Sequence, residues 1–252
     1  MSKEIVKKET SAATVWAKKP NQVSNVDKSD ILIPKLLLMQ GLSELVGEEK
    51  AQMGDIVNSV TAKILGGKEK ELSFIPLVHF KDMAKFELID GEKPKFLEIL
   101  PWTAQTAALP WEEKQMGKTI KNMARLNFYV LLESEITEAT ALPYLLSFTS
   151  TSYQNGRKLA THFAQADMAN LQACSMLFNV TSKKEKNDKG IYYKFDVAPK
   201  GPTPEKYISK IEMWTDVLSK GLYQVDNSDF EAGAPADVTP SNTGKPQATA
   251  QF

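Results

Sequence analysis

Apolar and polar residues alternate with a period close to two from Gly54 to Leu100, in the segments GDIVNSVT, ELSFIPLVHF, KDMAKFELID and KFLEIL. Such alternation is typical of β-strands with one buried face. Two further segments, NMARLNFYVLLE and LPYLLSFTST, are also predicted to be strands. Gly66-Gly67 and Asp90-Gly91 separate segments and favour turns. Pro76 places its strand at an edge or a bulge, because proline has no amide hydrogen to donate. The pattern therefore predicts several antiparallel strands.

Near the start of this region the spacing becomes helical. Leu38, Leu42 and Leu45 recur at helical intervals, and Pro34 suits the first turn of a helix. We therefore predict an N-terminal helix from Lys35 to Val46.

Two further helices are predicted in the second half of the chain. One runs from Tyr153 to Ala169 with Ser152 as its cap. The other begins at the N-cap Thr203, has Pro204 as its first residue and ends at Gly221. Its apolar face consists of Tyr207, Ile208, Ile211, Trp214, Val217 and Leu218.

The segment from Asn179 to Val197 predicts a long β-hairpin between these helices, with a basic tip and an aromatic returning strand. Its cations are Lys183, Lys184, Lys186, Lys189 and Lys194. Tyr192 and Tyr193 are adjacent, so at most one faces the core and the other is free to stack on a base. Amines beside aromatic rings suit single-stranded nucleic acid.

Trp102 and Trp111 lie in the proline-containing segment PWTAQTAALPWEEKQMGK and are candidates for a second stacking platform. A loop packed across the mouth of a barrel is the favoured interpretation of these two residues. The hairpin lysines also have a plainer interpretation, a solvated turn that includes Glu185 and Asp188. Of the adjacent Phe128 and Tyr129, one is expected in the core.

These elements predict an α+β fold, an OB-like antiparallel β-barrel with added helices and disordered termini. Residues 1–29 are polar and aperiodic and are expected to form a flexible arm. Residues 30–221 form the single OB-like domain, with the N-terminal and C-terminal helices. Residues 222–252 are expected to be a disordered, net-acidic tail.

The formal net charge is zero, but the charge is unevenly distributed. The tail has four carboxylates against one lysine, a net charge of −3, so the rest of the chain carries +3. Arg125 and Arg157 are the only arginines, and every other basic residue is lysine. Lysine is a flexible point charge that attracts phosphate without reading base edges, so any binding to nucleic acid is expected to be sequence-nonspecific.

No catalytic or metal-binding motif is present. His79 and His162 are the only histidines, HExxH and CxxC are missing, and no nucleotide-binding glycine motif occurs. Cys174, the single cysteine, suggests a reducing compartment and a small buried side chain. We expect a non-enzyme without cofactor or metal. No membrane span or secretory leader is predicted, and the expected location is the cytoplasm, that of the host if the protein is viral.

The arrangement resembles phage-type single-stranded DNA-binding proteins. The resemblance rests on the lysine-rich OB-like body, the KKEKNDKGIYYKF hairpin, a helix after the barrel and a net-acidic tail that ends in Phe252. It implies that the tail competes for the DNA groove and recruits replication proteins. The tail departs from the usual pattern, because PSNTGKPQATAQF has no carboxylate side chain.

Two functions therefore remain open at the level of sequence. The first is sequence-nonspecific binding of single-stranded DNA during phage-like replication or recombination, through Lys183, Lys184, Lys186, Lys189, Tyr192, Tyr193, Lys194, Trp102 and Trp111. The second is a structural or assembly protein of a virion that does not bind nucleic acid, in which both termini contact neighbouring subunits. A homo-oligomer is compatible with either.

Overall fold

The structure, a computed structural model, describes residues 32–89, 94–138, 141–187, 190–220 and 224–225. In chain order the elements are β1 (Leu32–Ile33), β2 (Leu36–Leu38), α1 (Glu44–Gly47), β3 (Ile56–Asn58), β4 (Ile64–Gly66), β5 (Leu72–Leu88), β6 (Lys95–Pro101), α2 (Ala104–Ala107), β7 (Glu112–Gln115), β8 (Lys118–Leu132), β9 (Tyr144–Thr149), α3 (Tyr153–Met168), β10 (Met176–Asn187), β11 (Gly190–Pro202), α4 (Ile208–Ser219) and β12 (Gln224–Val225). The predicted arm and almost all of the predicted tail lie outside these residues.

Two long strands, β5 and β8, form the centre of a seven-stranded antiparallel sheet and pair from Phe74–Leu132 to Leu88–Thr119. At one end, which we call the body half, β10 and then β11 extend the sheet beyond β5, and β9 lies beside β8. At the other end, the ribbon half, β6 pairs with β5 and β7 pairs with β8. The two central strands therefore pair with different strands at their two ends.

The body half is buried on both faces. Leu126, Phe128 and Val130 of β8 face a first core that α3 covers, whereas Tyr129 and Leu131 face a second core that α4 covers. Adjacent residues point to opposite faces of a strand, so an apolar run serves both cores. The expectation that only one of Phe128 and Tyr129 is core was therefore wrong: both are buried, on opposite faces of the sheet.

A second, three-stranded sheet of order β2-β3-β4 shares the first core. Its links to the large sheet include a bridge between Lys35 and Leu145, a hydrogen bond from the Ser182 amide to the Gly67 carbonyl, and a hydrogen bond from the Asn58 side-chain amide to the Tyr144 hydroxyl at 3.2 Å. Within the described part of the chain, no continuous ladder joins the outer strands β9 and β11. The α+β class is confirmed, and the large sheet is a curled half-barrel instead of a closed OB-like barrel.

The predicted N-terminal helix over Lys35 to Val46 was wrong. Its first part is strand β2, which pairs with β3, and only the single turn α1 is helical. Leu36 is buried in the first core, but Leu42 is 86% exposed. The apparent helical spacing therefore does not mark one buried face.

The later elements follow the predictions more closely. Two predicted strands, ELSFIPLVHF and KDMAKFELID, are one continuous strand, β5, whose register shifts near Pro76. The C-terminal helix α4 starts later than predicted, after a 3₁₀ turn at Glu205–Tyr207, and has no side-chain cap. Gln224 and Val225, expected in the tail, pair with β1. None of the described helices is long and apolar enough to cross a membrane.

Helix α3 approaches β9 so closely that Gly156 has no space for a side chain. A Cβ atom on Gly156 would lie 2.6 Å from the Phe148 Cβ, which is in the first core. Gly156→Ala is therefore expected to destabilise the protein by about 1–3 kcal/mol through overpacking, despite the better helix propensity of alanine. Urea denaturation measures this. Gly47→Ala, at a position with no atoms within 4 Å, is the control, and equal stability of both variants would contradict the close packing.

Candidate nucleic-acid interface

The predicted hairpin is present and consists of β10 and β11. It pairs over its full length, from Met176–Pro202 to Asn187–Gly190. Strand β10 pairs with β5 only through Phe178, Asn179 and Val180. From Thr181 onward the hairpin therefore projects beyond the end of β5.

Three of the five predicted hairpin lysines lie on this projecting part with exposed side chains: Lys183, Lys184 and Lys186. None of them has a carboxylate within ion-pair distance among the residues that the structure describes. Lys184 shares a face with Tyr193, and Lys183 lies opposite Lys194 on the other face. Lys189 lies outside the described residues. Positive charge is thus present on both faces of the hairpin.

Lys194 and Tyr192 are both held by Glu185. The Lys194 Nζ lies 2.5 Å from one Glu185 carboxylate oxygen, and the Tyr192 hydroxyl donates to the other at 3.0 Å. The bond from Lys194, followed by the bond from Tyr192, lowers the pKa of Glu185, and bonding to Glu185 raises the pKa values of Tyr192 and Lys194. The carboxylate therefore fixes the direction of the half-buried Tyr192 side chain and neutralises Lys194.

Tyr193 is buried, with 6% of its surface exposed, so its ring does not offer a stacking face as predicted. It packs against Gly54, which has φ +90° and whose added Cβ would lie 2.6 Å from the tyrosine ring. The Lys68 Nζ lies 5.7 Å from the ring centroid. As the alternation of the strand required, Tyr192 and Tyr193 differ in burial.

At the outer edge of β11, side chains form the hydrogen bonds to the backbone amides and carbonyls of Tyr193 and Phe195. The Gln40 amide donates to the Tyr193 carbonyl at 2.8 Å and accepts from the Tyr193 amide at 3.0 Å. The Phe195 amide donates to the Ser152 hydroxyl at 3.1 Å, and Asn155 donates to the Phe195 carbonyl at 2.6 Å. Ser152 thus bonds to the hairpin instead of capping α3. These bonds therefore hold the free edge of the hairpin to the segment after β2 and to the start of α3 without a strand ladder.

A cavity of about 500 Å³ lies where β2, β9 and the returning strand β11 diverge. One wall is apolar and includes Leu36, Leu38 and Ile191. A second wall carries hydroxyl groups, those of Ser147, Thr149, Ser150, Thr151 and Ser152. Tyr192, Tyr193 and Arg125 also contribute to the lining. The returning strand of the hairpin therefore lines one concave surface together with β2 and β9.

Trp102 and Trp111 lie elsewhere, at the two ends of the connection between β6 and β7 in the ribbon half. Their exposed fractions are 36% and 48%. The Lys81 Nζ lies 5.7 Å from the Trp102 ring, and the Lys121 Nζ lies 4.7 Å from the Trp111 ring. Neither tryptophan lines the cavity. The structure therefore does not bring them together with Tyr192.

The two histidines have structural surroundings. His79 packs against Phe128 and Phe163, and burial, followed by the charge of Lys81, lowers its pKa. His162 packs against Phe178. Cys174 is half-buried, and burial raises the pKa of its thiol, so the reactive thiolate is disfavoured. Within the described ranges, no three His, Cys, Asp or Glu side chains are placed to bind a metal ion.

Sequence reasoning missed the residues that complete the cavity. The hydroxyl run in SFTSTS is visible in the sequence, but its local pattern predicts only a strand followed by a helix cap. Gln40 falls within the predicted N-terminal helix, which does not form. No signal in the sequence links Gln40 to Tyr193, since 153 positions separate them.

Comparison with known proteins gives one result. Residues 6–223 match the model of a family described as Pam3 phage gp34-like protein. No curated protein and no solved structure matches the chain significantly. The family description names a phage protein. Because the match spans most of the 252 residues, the chain belongs to the Pam3 phage gp34-like protein family.

Proposed function

We propose that this phage protein binds single-stranded DNA without sequence preference, during DNA replication or recombination in the host cytoplasm. One observation carries the proposal: Lys183, Lys184 and Lys186 project from a hairpin whose returning strand, with Tyr192, walls a concave surface. Unpaired amines attract phosphates, and an aromatic ring offers a face to an unpaired base.

The absence of sequence preference follows from the types of cation. Arg125 contributes to the cavity lining, but it is only 3% exposed and its guanidinium binds Asp82 through two bonds of 2.6 Å, so it is not presented on the hairpin surface. The amines on the hairpin all belong to lysine, which provides charge without the planar fork that reads guanine. Binding therefore depends on phosphate charge and on stacking.

Two features extend the proposal. The half-barrel takes the role of the concave face of an OB-like fold. The exposed rings of Trp102 and Trp111, each beside a lysine (Lys81 and Lys121), provide additional stacking surfaces. The net-acidic tail beyond the described residues recruits replication proteins, as the resemblance to phage single-stranded DNA-binding proteins implies.

The test is fluorescence anisotropy with a labelled 30-nucleotide oligo-dT and with a duplex of equal length. We expect oligo-dT to bind more tightly than the duplex, with a slope of log K against log salt of about −2 or steeper, because each of three phosphate contacts contributes about −0.7. No binding at low salt, or equal affinity for the duplex, would refute the proposal.

A role in virion assembly is the second candidate. It is favoured by exposed apolar side chains in the ribbon half, namely Leu97, Trp102, Trp111 and Met116. Exposed apolar surface suits a protein partner. Size-exclusion chromatography with light scattering distinguishes the two functions, since large assemblies that form without DNA, together with no oligo-dT binding, would favour assembly.

A further inference from the structure

We propose that the cavity between β2, β9 and β11 takes up one unpaired nucleotide whose base enters from the strand held by the hairpin lysines. This rests on the proposed function and specifies how single-stranded DNA is distinguished from duplex. The cavity volume, about 500 Å³, lies within the usual range of ligand sites, roughly 300–1,000 Å³.

The chemistry of the walls suits a base. Tyr192 offers a ring, and Leu36, Leu38 and Ile191 provide apolar surface for the flat face of a heterocycle. The Tyr192 hydroxyl is bonded to Glu185, so the ring is already oriented before a ligand arrives. Pre-orientation lowers the entropy lost on binding.

The hydroxyl groups in the lining suit the edge of any base. Among its hydroxyl groups, Ser147 donates to Asn127 at 2.7 Å and Ser152 accepts from Phe195. Within the described chain, no side-chain hydrogen bond engages Thr149 or Thr151. A hydroxyl rotates to donate or to accept, so it pairs with each of the four bases. This wall therefore binds a base edge without selecting its identity, in agreement with sequence-nonspecific binding.

The location of the cavity connects it to the phosphate-binding surface. Asn187, Gly190 and Ile191, at the tip of the hairpin, belong to its rim, and Lys186 pairs with Ile191 across the two strands. A strand whose phosphates contact the lysines thus passes the opening. A base inside a duplex is paired and stacked and does not reach such a cavity without being extruded.

The test compares two probes of equal charge, oligo-dT of 15 nucleotides and a 15-unit abasic oligomer that has the same phosphates without bases. Thr149→Phe fills the cavity, and Tyr192→Leu removes the ring. For each variant we expect about tenfold weaker binding of oligo-dT, the order of the loss for one stacked base. Binding of the abasic oligomer and the slope of log K against log salt are expected to stay unchanged.

Two controls accompany these variants. Thr215→Phe makes the same substitution at an exposed position of α4, on the other side of the sheet, and is expected to bind as the wild type does. Tyr192→Phe retains the ring and is expected to lose less affinity than Tyr192→Leu. Thermal unfolding of each variant establishes that it is folded.

The outcomes separate this inference from the proposed function. Salt-dependent binding of oligo-dT that is equal in wild type, Thr149→Phe and Tyr192→Leu would overturn the cavity while leaving DNA binding in place. Equal losses for oligo-dT and the abasic oligomer would also overturn it, since the variants would then act on phosphate contacts. A wild-type protein that binds neither probe at low salt refutes the proposed function itself.

Discussion

Replacing Lys183, Lys184 and Lys186 together by glutamine is expected to weaken binding to oligo-dT about 100-fold near 0.1 M salt. For single-stranded DNA each neutralised phosphate contributes about −0.7 to the slope of log K against log salt, which corresponds to about fivefold in affinity at this concentration. Three such contacts multiply to about 100-fold and make the slope about 2 shallower. Anisotropy titrations between roughly 0.05 and 0.3 M salt measure both effects.

The matched control removes the same charge from the far side of the sheet. Lys206, Lys210 and Lys220 lie in α4 or directly beside it, and α4 packs on the second core, opposite the half-barrel interior. Their triple glutamine variant is expected to retain most of the affinity. A similar loss in both triple variants would show that net charge alone, and not the hairpin, determines binding. Glutamine preserves the polar character of the exposed Lys183, Lys184 and Lys186, so the stability of the hairpin variant is expected to change little.

Asp82→Asn is expected to lower the free energy of unfolding by about 3–5 kcal/mol, the usual cost of removing one partner from a buried ion pair. Asp82 is 6% exposed and Arg125 is 3% exposed, and their two hydrogen bonds are each 2.6 Å long. The substitution leaves the buried Arg125 guanidinium without its negative partner. The cost of keeping that charge away from water is then no longer offset. Urea denaturation measures the loss.

A double substitution distinguishes the ion pair from simple packing. Asp82→Leu combined with Arg125→Met replaces both charges by apolar side chains, and it is expected to be much less destabilising than Asp82→Asn alone. A loss below about 1 kcal/mol in Asp82→Asn would contradict the buried pairing.

Prediction from the sequence succeeded where a local pattern and the tertiary structure require the same thing. The predicted hairpin from Asn179 to Val197 is present. Its two alternating segments are adjacent in the chain, and each is the pairing partner of the other. The predicted apolar face of the C-terminal helix is confirmed at Ile211, Trp214 and Leu218, and Tyr207 is buried in the turn before α4, but the prediction for Ile208 was wrong because it is 47% exposed. The α+β class followed from these two periodicities.

It failed where one segment serves a distant partner. The leucine spacing that begins at Leu38 is helical, but the segment Leu36–Leu38 forms a strand because β3 pairs with it. Tertiary context routinely overrides such local preferences. Whether Tyr192 or Tyr193 faces the core was likewise undecidable from alternation, since the answer depends on where Gly54 lies.

The sequence by itself determined which segments alternate, which helix has an apolar face, that the hairpin is basic and that the other cations are almost all lysine. These are properties of neighbouring residues, and short-range physics suffices for them. Only the tertiary structure decided that the sheet remains a half-barrel, that Gln40, Ser152 and Asn155 hold its last strand, and that Tyr192 faces a cavity lined with hydroxyl groups. Each of these depends on contacts between residues far apart in the chain, which a pattern of neighbours does not encode.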